Sequence, residues 1–201
     1  MTNTSKNRRA LFAARASYCL NQPRRLLLAG AVFLLALLLA APAAWADDEV
    51  YYTQVGMWAD QGVRVMGTNY KRGTFIPVNS EVKINRVTRR AIEFTVPALS
   101  DQRIQLVNVP NHTQVNNQEL QERTFGRQPV DLDRFNPEML QFIRRGEVKP
   151  GMTRDEVIAT RGYPPGHETP NLEMDQWRYW EHRFGTKLVR FEDGKVVEII
   201  H

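Results

Sequence analysis

One short stretch, residues 150–165, constrains the fold of this chain strongly because it marks both ends of a helix. Thr153 is a suitable N-cap, and Glu156, three residues later, completes a capping box. Gly162 favours the left-handed conformation that ends a helix, and the two prolines after it prevent the helix from resuming. The stretch therefore predicts one sharply bounded helix.

A strand rich in aromatic residues, Gln176–Glu181, follows this helix. Alternation along a strand places Trp177 and Tyr179 on one face. A small sheet needs large side chains to seal it, so we expect these two residues in the core. The opposite face is left to solvent, where a Trp beside an Arg is typical of a contact with a partner protein. This face carries three candidate partner-binding residues: Trp180, Arg178 and His182.

Helix and strand belong to a longer pattern, Gly-Met-Thr-x-x-x-Val-x-x-x-x-Gly-x-Pro, then Trp-x-Tyr and a closing hairpin. This pattern resembles the BamE (SmpA/OmlA) family, whose members are small lipoproteins of outer-membrane assembly. The resemblance covers residues 135–201 and implies two helices with an antiparallel three-stranded sheet. It also implies a role in assembling outer-membrane proteins. The matching residues are Gly151, Met152, Thr153, Val157, Gly162, Pro164, Trp177, Tyr179, Phe191 and Gly194 to Val197.

The rest of this C-terminal region agrees with two helices and three strands. Asn136 is a suitable N-cap for a helix that begins at Pro137, because proline is favoured at the first helical position. Asp193-Gly194 is a strong two-residue hairpin turn between the last two strands. The predicted strands are residues 176–183, 187–191 and 196–200.

Three basic residues lie near the end of the helix that begins at Pro137. One interpretation is that they complement the helix C-terminus. The other, implied by the resemblance to BamE, is contact with anionic lipid headgroups at a membrane surface. These candidate headgroup-binding residues are Arg144, Arg145 and Lys149.

Residues 47–110 contain six short segments rich in β-branched and aromatic residues, separated by turn residues and without a helical pattern. Such spacing predicts a small antiparallel β-barrel or sandwich, and residues 72–82 resemble the middle of an SH3-like barrel. Residues 111–134 are polar and are predicted as a linker to the BamE-like domain at 135–201. The predicted fold class is thus α+β, a small SH3-like barrel followed by a two-helix, three-stranded domain. The predicted strands of the barrel are 50–53, 63–66, 74–78, 81–87, 91–96 and 103–107.

Residues 1–46 have the composition of a secretory signal peptide. They contain six basic residues and no acidic one, an apolar run over 26–41, and Ala44-Trp45-Ala46 as a small-x-small cleavage site. Cleavage would deliver the protein to the periplasm or the outer-membrane periphery; the alternative is an uncut segment that serves as an inner-membrane anchor. The chain departs from BamE here, because no lipid-bearing cysteine follows the apolar run. Its one cysteine, Cys19, lies inside the segment.

Removal of this segment changes what the charge of the chain implies. The 27 basic residues fall to 21 when the six are removed, against 22 acidic residues, so residues 47–201 carry a formal charge of −1. The basic character therefore gives no argument for nucleic acid as a partner. With Cys19 removed, neither a disulfide nor a thiolate metal site is expected.

The remaining sequence contains no pattern typical of catalysis. The four histidines are too scattered for a metal-ligand pair, and neither a Gly-x-Ser-x-Gly motif nor a phosphate-binding glycine loop is present. We therefore expect no enzyme, no cofactor and no metal. The predicted function is a non-catalytic adaptor or scaffold that binds envelope proteins in outer-membrane protein assembly.

Two alternatives remain open. Folds like the one implied at residues 135–201 also occur in proteins that block β-lactamases, which would make this chain an inhibitor-type binding module. The SH3-like part could instead bind peptidoglycan as the accessory of a cell-wall enzyme. A cleft lined by four aromatic residues would favour that accessory role: Tyr51, Tyr52, Tyr70 and Phe75.

Overall fold

The computed structural model describes residues 49–201. The predicted signal peptide, with Cys19 and the expected cleavage site, lies outside the described residues. The described part is mixed α+β and contains eleven strands and four helices. None of its helices has the length and apolar content that a membrane span requires.

The elements alternate between a strand-rich first part and a helical connection to a final sheet. The strands are β1 (Val50–Thr53), β2 (Met57–Ala59), β3 (Arg64–Met66), β4 (Thr74–Ile76), β5 (Glu81–Val87), β6 (Ala91–Val96), β7 (Ser100–Val107), β8 (Phe125–Gly126), β9 (Gln176–His182), β10 (Gly185–Glu192) and β11 (Lys195–Ile200). The helices are α1 (Pro110–Thr113), α2 (Asn117–Thr124), α3 (Pro137–Ile143) and α4 (Arg154–Arg161).

The first part forms a curled six-stranded sheet with the strand order β3-β7-β6-β5-β1-β8. All six predicted strands are present, but the expectation of a purely antiparallel arrangement is wrong at one edge. There β3 runs parallel to β7, with Val65 opposite Leu106. Several strands separate β3 from β7 along the chain, so no tight turn forces them to run in opposite directions. The sequence analysis missed β2, which pairs with β4 in a separate two-stranded sheet.

The stretch expected as a polar linker, residues 111–134, carries ordered elements that close the first core. Asn116 caps α2 by accepting a hydrogen bond from the Glu119 N–H at 2.9 Å. Leu120 of α2 is buried, and Phe125 of β8 packs on Phe94 with 5.0 Å between ring centres. These apolar residues are isolated in a polar stretch, so no periodic pattern indicated that they would be buried.

The C-terminal part contains α3, α4 and the antiparallel sheet β11-β10-β9, as predicted from the caps and the turn. Asp193 and Gly194 have φ angles of +49° and +74°, which suits the two-residue turn of a tight hairpin. Trp177 and Tyr179 are 0% and 1% exposed, so their predicted place in the core is confirmed.

The capping box at the start of α4 is formed and extends beyond its own helix. The Thr153 hydroxyl accepts from the Glu156 N–H at 3.3 Å, and Glu156 Oε2 accepts from the Thr153 N–H at 2.7 Å. Glu156 Oε1 also accepts from the backbone N–H of Asn136 at 2.8 Å. One carboxylate, 2% exposed, therefore ties the start of α3 to the start of α4.

The end of α4 at Gly162 takes a different form from the predicted left-handed cap. Gly162 has a φ of +81° and a ψ of −176°, a region that is open almost only to glycine. The chain leaves the helix in an extended direction as a result. The last carbonyl groups of α4 then face neighbouring segments and accept hydrogen bonds from them.

Three donors from outside the helix satisfy these carbonyl groups. The Gly56 N–H donates to the Ala159 oxygen at 2.8 Å, and the Asn69 side-chain amide donates to the Arg161 oxygen. The Tyr179 hydroxyl donates to the Gly162 oxygen at 2.9 Å. Gly56 must be glycine for this approach, because a Cβ there would lie 2.4 Å from the Thr160 oxygen.

Two clusters of buried apolar side chains lie within one compact unit, Asp48–His201. The first cluster is centred on the six-stranded sheet and includes Phe94. The second lies between α3, α4 and the three-stranded sheet and includes Trp177. Ile158 of α4 packs against both clusters, so α4 is the element that the two cores share.

We predict that Glu156→Ala lowers the free energy of unfolding by about 3 kcal/mol, since it removes a cap and leaves two buried N–H groups without an acceptor. Asp155→Ala is the matched control in the same helical turn, because its side chain is 68% exposed. We expect it to change stability by less than about 0.5 kcal/mol. Urea denaturation of both variants measures the difference, and similar losses in the two would show that the carboxylate does not join the helices.

Candidate binding surface

A buried arginine, Arg161, lies at the end of α4 between β2 and β9. Its guanidinium carbon is 4.6 Å from the centre of the Trp58 ring and 5.6 Å from that of Tyr179. The Nη2 group donates to the Trp180 backbone oxygen at 2.9 Å and to Glu181 Oε1 at 3.2 Å. With its side chain 3% exposed, this cation is shielded by two aromatic faces and paired with one carboxylate.

Burial shifts the proton affinities of this cluster. It lowers the pKa of Arg161, although the nearby Glu181 and Tyr179 oppose that shift. Burial also raises the pKa of Tyr179, with the charge of Arg161 acting in the opposite sense. Among the described residues, nothing accepts a hydrogen bond from the buried Nη1 of Arg161. The cluster thus fixes α4 against its neighbours, since a buried guanidinium must keep its partner and its aromatic contacts.

An open cleft lies beside Trp58, close to this buried cluster. Its volume is about 170 Å³. Asp60 also lines the cleft and pairs with Arg72 at 3.2 Å, so the remaining arginines leave it positively charged. We call it the aromatic cleft and define it by Trp58, Tyr70, Arg64, Arg72, His182 and Arg183.

The turn between β9 and β10 forms a hairpin tip at residues 182–185, next to the aromatic cleft. Phe184 at this tip is 85% exposed. The guanidinium carbon of Arg183 lies 5.3 Å from the centre of its ring, and the Phe184 N–H donates to His182 Nδ1 at 3.2 Å. His182 and Arg183 line the cleft as well. The hairpin tip and the aromatic cleft therefore form one continuous surface.

The three candidate partner-binding residues of β9 have different surroundings. Arg178 is exposed and its Nε lies 3.3 Å from Glu168 Oε2. Trp180 is half-buried rather than open to solvent, because its ring centre lies 6.3 Å from those of Tyr70 and His167. His182 is exposed and belongs to the aromatic cleft. The structure thus brings only His182 of this set to the continuous surface at the hairpin tip.

The candidate headgroup-binding residues surround a half-buried aromatic ring, that of Phe142. The guanidinium carbon of Arg145 lies 5.2 Å from its centre and the Lys149 Nζ lies 5.1 Å from it. Lys149 also pairs with Glu147 at 3.4 Å, and Arg144 is exposed. Two of the three cations are therefore held on one ring, with a carboxylate beside them.

The histidines and the aromatic residues weighed in the sequence analysis do not converge on a site. His112 and His167 are stacked, with 4.7 Å between ring centres. Within residues 49–201, no group of three or more His, Cys, Asp or Glu side chains is placed to hold a metal ion. Phe75 packs on Trp58, and Tyr51 packs on Arg127. Of the four aromatics expected in a peptidoglycan cleft, Tyr70 alone lines the aromatic cleft.

The sequence analysis missed the residues that define this surface. Trp58 lies in a strand of three residues, which is too short to show a period. Phe184 lies between two predicted strands, where an aromatic residue in a turn was the available signal. The burial of Arg161 depends on contacts with β2, which no local pattern reveals.

Comparison of the chain with known proteins gave no match: no family model, no curated protein and no solved structure is similar to it. The resemblance to BamE therefore rests on the residue pattern between Gly151 and Val197. The surface described above has to be interpreted from its own geometry and charge.

The shift at Tyr179 predicts loss of stability at alkaline pH. A raised pKa in the folded state means that folded protein holds the phenol proton more tightly than unfolded chain, so this contribution is present below about pH 10 and falls above it. Lys187, whose pKa burial lowers, acts in the opposite sense near the same pH. The comparison of wild type with Tyr179→Phe isolates the phenol.

Urea denaturation between pH 8 and pH 11 measures the effect. Tyr179→Phe should lose about 1–3 kcal/mol at pH 8, because the Gly162 carbonyl loses its donor, and should decline less steeply than wild type above about pH 10. Tyr52→Phe, at a half-buried strand position, is the control and should follow wild type. Parallel curves for wild type and Tyr179→Phe would contradict the prediction.

Proposed function

We propose that this chain is a non-catalytic adaptor of the bacterial envelope, which binds other envelope proteins through the hairpin tip and the aromatic cleft. The observation that carries the proposal is Phe184, a large apolar side chain with 85% of its surface in solvent. An aromatic residue at that exposure has no role in the folding of its own chain. Aromatic and arginine side chains are enriched where proteins bind one another.

The surroundings of Phe184 support a protein as its partner. The Arg183 side chain lies on the same tip, and the aromatic cleft adds Trp58 and Tyr70 next to it. An apolar anchor beside a positively charged, aromatic depression suits a partner segment that carries an apolar residue and a carboxylate. The tip is also fixed, because the His182 imidazole accepts from the Phe184 N–H. A fixed loop loses less entropy on binding.

The place of action is the periplasm or the outer-membrane periphery, as the composition of residues 1–46 suggests. The link to outer-membrane protein assembly, and the SH3-like and BamE-like arrangement of the fold, come from the resemblance at residues 135–201. That resemblance also suggests contact of Arg144, Arg145 and Lys149 with a membrane surface. N-terminal sequencing of the exported protein should read from Asp47, and a start at Met1 would show that the segment is retained.

An inhibitor-type binding module is the second candidate, because the same hairpin tip favours it. Inhibitors of enzymes insert a fixed, protruding segment into a cleft of the target. Phe184 on a hairpin would suit such an insertion, with Arg183 beside it. The partner recovered in the experiment below distinguishes an assembly component from an enzyme.

The proposal predicts that Phe184→Ser abolishes most partner capture without loss of stability. A photo-reactive residue placed at position 184 should cross-link an outer-membrane assembly component in intact envelopes. Phe184→Ser, in chains cross-linked chemically, should reduce recovery of that component by about tenfold, as expected for a central apolar anchor. The thermal midpoint should stay within about 2 °C of wild type.

Leu99→Ser is the matched control, since Leu99 is an exposed apolar residue (48%) in another turn, before β7. It should leave recovery unchanged. Equal recovery from Phe184→Ser and wild type would exclude the hairpin tip as the contact. Recovery of a hydrolytic enzyme instead of an assembly component would replace the adaptor with the inhibitor.

A further inference from the structure

A second depression, separate from the hairpin tip, lies where β11 parts from the segment before α4. Its volume is about 590 Å³. One wall is the chain at residues 147–150, and the other is β11 from Val197 to Ile199. Three lysine side chains line it, and we call it the lysine groove: Lys71, Lys149 and Lys187.

The wall formed by β11 is the edge of a sheet. β11 is the outer strand in the order β11-β10-β9. Its first residues are covered on the outer side, because the Gly151 N–H donates to the Val196 oxygen at 2.7 Å and the Val196 N–H donates to the Met152 oxygen at 2.8 Å. Among the described residues this pairing stops at Val196, and β11 continues to Ile200.

The geometry of the groove follows from this interrupted pairing. Residues 151–153 run beside the start of β11, whereas residues 147–150 turn away from it and form the opposite wall. The space left beside Val197–Ile200 continues the line of the paired segment. An extended chain placed there would meet main-chain groups on one side, as in strand addition to a sheet edge.

The side chains of the groove leave it positively charged. Within residues 49–201, no carboxylate lies within 4.0 Å of the ammonium group of Lys71 or Lys187. Lys149 has Glu147 at 3.4 Å. The groove's other carboxylate, Glu198, pairs with Arg190 at 3.0 Å. Two cations of the groove are thus without an ion-pair partner in the described part of the chain.

The fold holds these cations near one another despite their repulsion. Burial lowers the pKa of Lys187, and the charges of Lys71, Arg161 and Lys149 act in the same direction, while Glu181 opposes them. Like charges gathered in a depression attract an anionic ligand and are stabilised when it binds.

We propose that the lysine groove binds an acidic, extended segment of a partner protein, which adds to the sheet as a strand beside β11 and sets its carboxylates against Lys71 and Lys187. The sheet edge favours a peptide, because a peptide main chain can pair with β11. Apolar contact is available too, since Val197 is 39% exposed. A segment that alternates acidic and apolar residues fits both features. This binding does not depend on the contact at Phe184.

Fluorescence anisotropy with the purified full chain tests this proposal. The probe is a fluorescein-labelled eight-residue peptide of alternating Glu and Val, and the comparison peptides replace Glu with Lys or carry N-methyl groups on alternate backbone nitrogens. We expect binding of the Glu peptide that weakens as salt rises. The N-methylated peptide should bind at least about tenfold more weakly, because it cannot pair with β11.

Variants of the protein test the lysines. Lys71→Gln combined with Lys187→Gln should weaken binding of the Glu peptide by about tenfold, since each ion pair contributes up to about 1 kcal/mol. Lys195→Gln is the control, because Lys195 lies on the same strand outside the groove, and it should bind as wild type does. Both variants should keep the wild-type thermal midpoint, because neither removes a partner of a buried group.

Several outcomes would overturn the proposal. Equal binding of the Glu and Lys peptides would exclude recognition of carboxylates, and equal binding of the N-methylated peptide would exclude strand addition. Binding to phosphatidylglycerol vesicles that is lost in the double variant, without any peptide binding, would assign the groove to a membrane surface instead. Phe184→Ser should bind the Glu peptide normally, so failure of this test is distinguishable from failure of the adaptor proposal.

Discussion

The structure depends on how the last carbonyl groups of α4 are satisfied. A helix leaves its final carbonyls without partners inside the helix, and a buried carbonyl without a donor is costly. Here the donors are Gly56, Asn69 and Tyr179, one for each of three successive needs. Gly56 and Asn69 precede the helix by about a hundred residues, whereas Tyr179 follows it on β9. The end of one short helix thus joins the sheet of the second core to the strands of the first.

The elements that sequence could predict are those with local causes. The capping box at Thr153 and the Asp193-Gly194 turn each act within a few residues, and both are present. The alternation at β9 placed Trp177 in the core for the same reason. What could not be predicted has distant causes: the parallel pairing of β3 with β7, and the two-residue strand β8. Neither leaves a period or a turn motif in the sequence.

The surface residues show the same division between local and distant causes. Alternation correctly pointed Trp180 away from the core, but it could not show that Tyr70 and His167 approach the ring from other segments. Phe184 owes its exposure to a turn between two strands, so its position was visible in the sequence once the strand ends were known. The lysine groove combines residues from three separated segments, which only the folded chain brings together.

The buried Asn69 has a consequence for how the protein unfolds. Its side-chain amide binds the Gly56 and Arg161 carbonyls, and its own carbonyl accepts from the Trp58 N–H at 3.3 Å. Separation of the strands from the end of α4 would leave all these groups unpaired while they are still enclosed by side chains. Partial opening at this seam is therefore unfavourable, and the two cores should melt together in one cooperative transition. A fragment beginning at Phe135 would lack these donors and would expose the aromatic face of Tyr179 that Arg161 shares with Trp58.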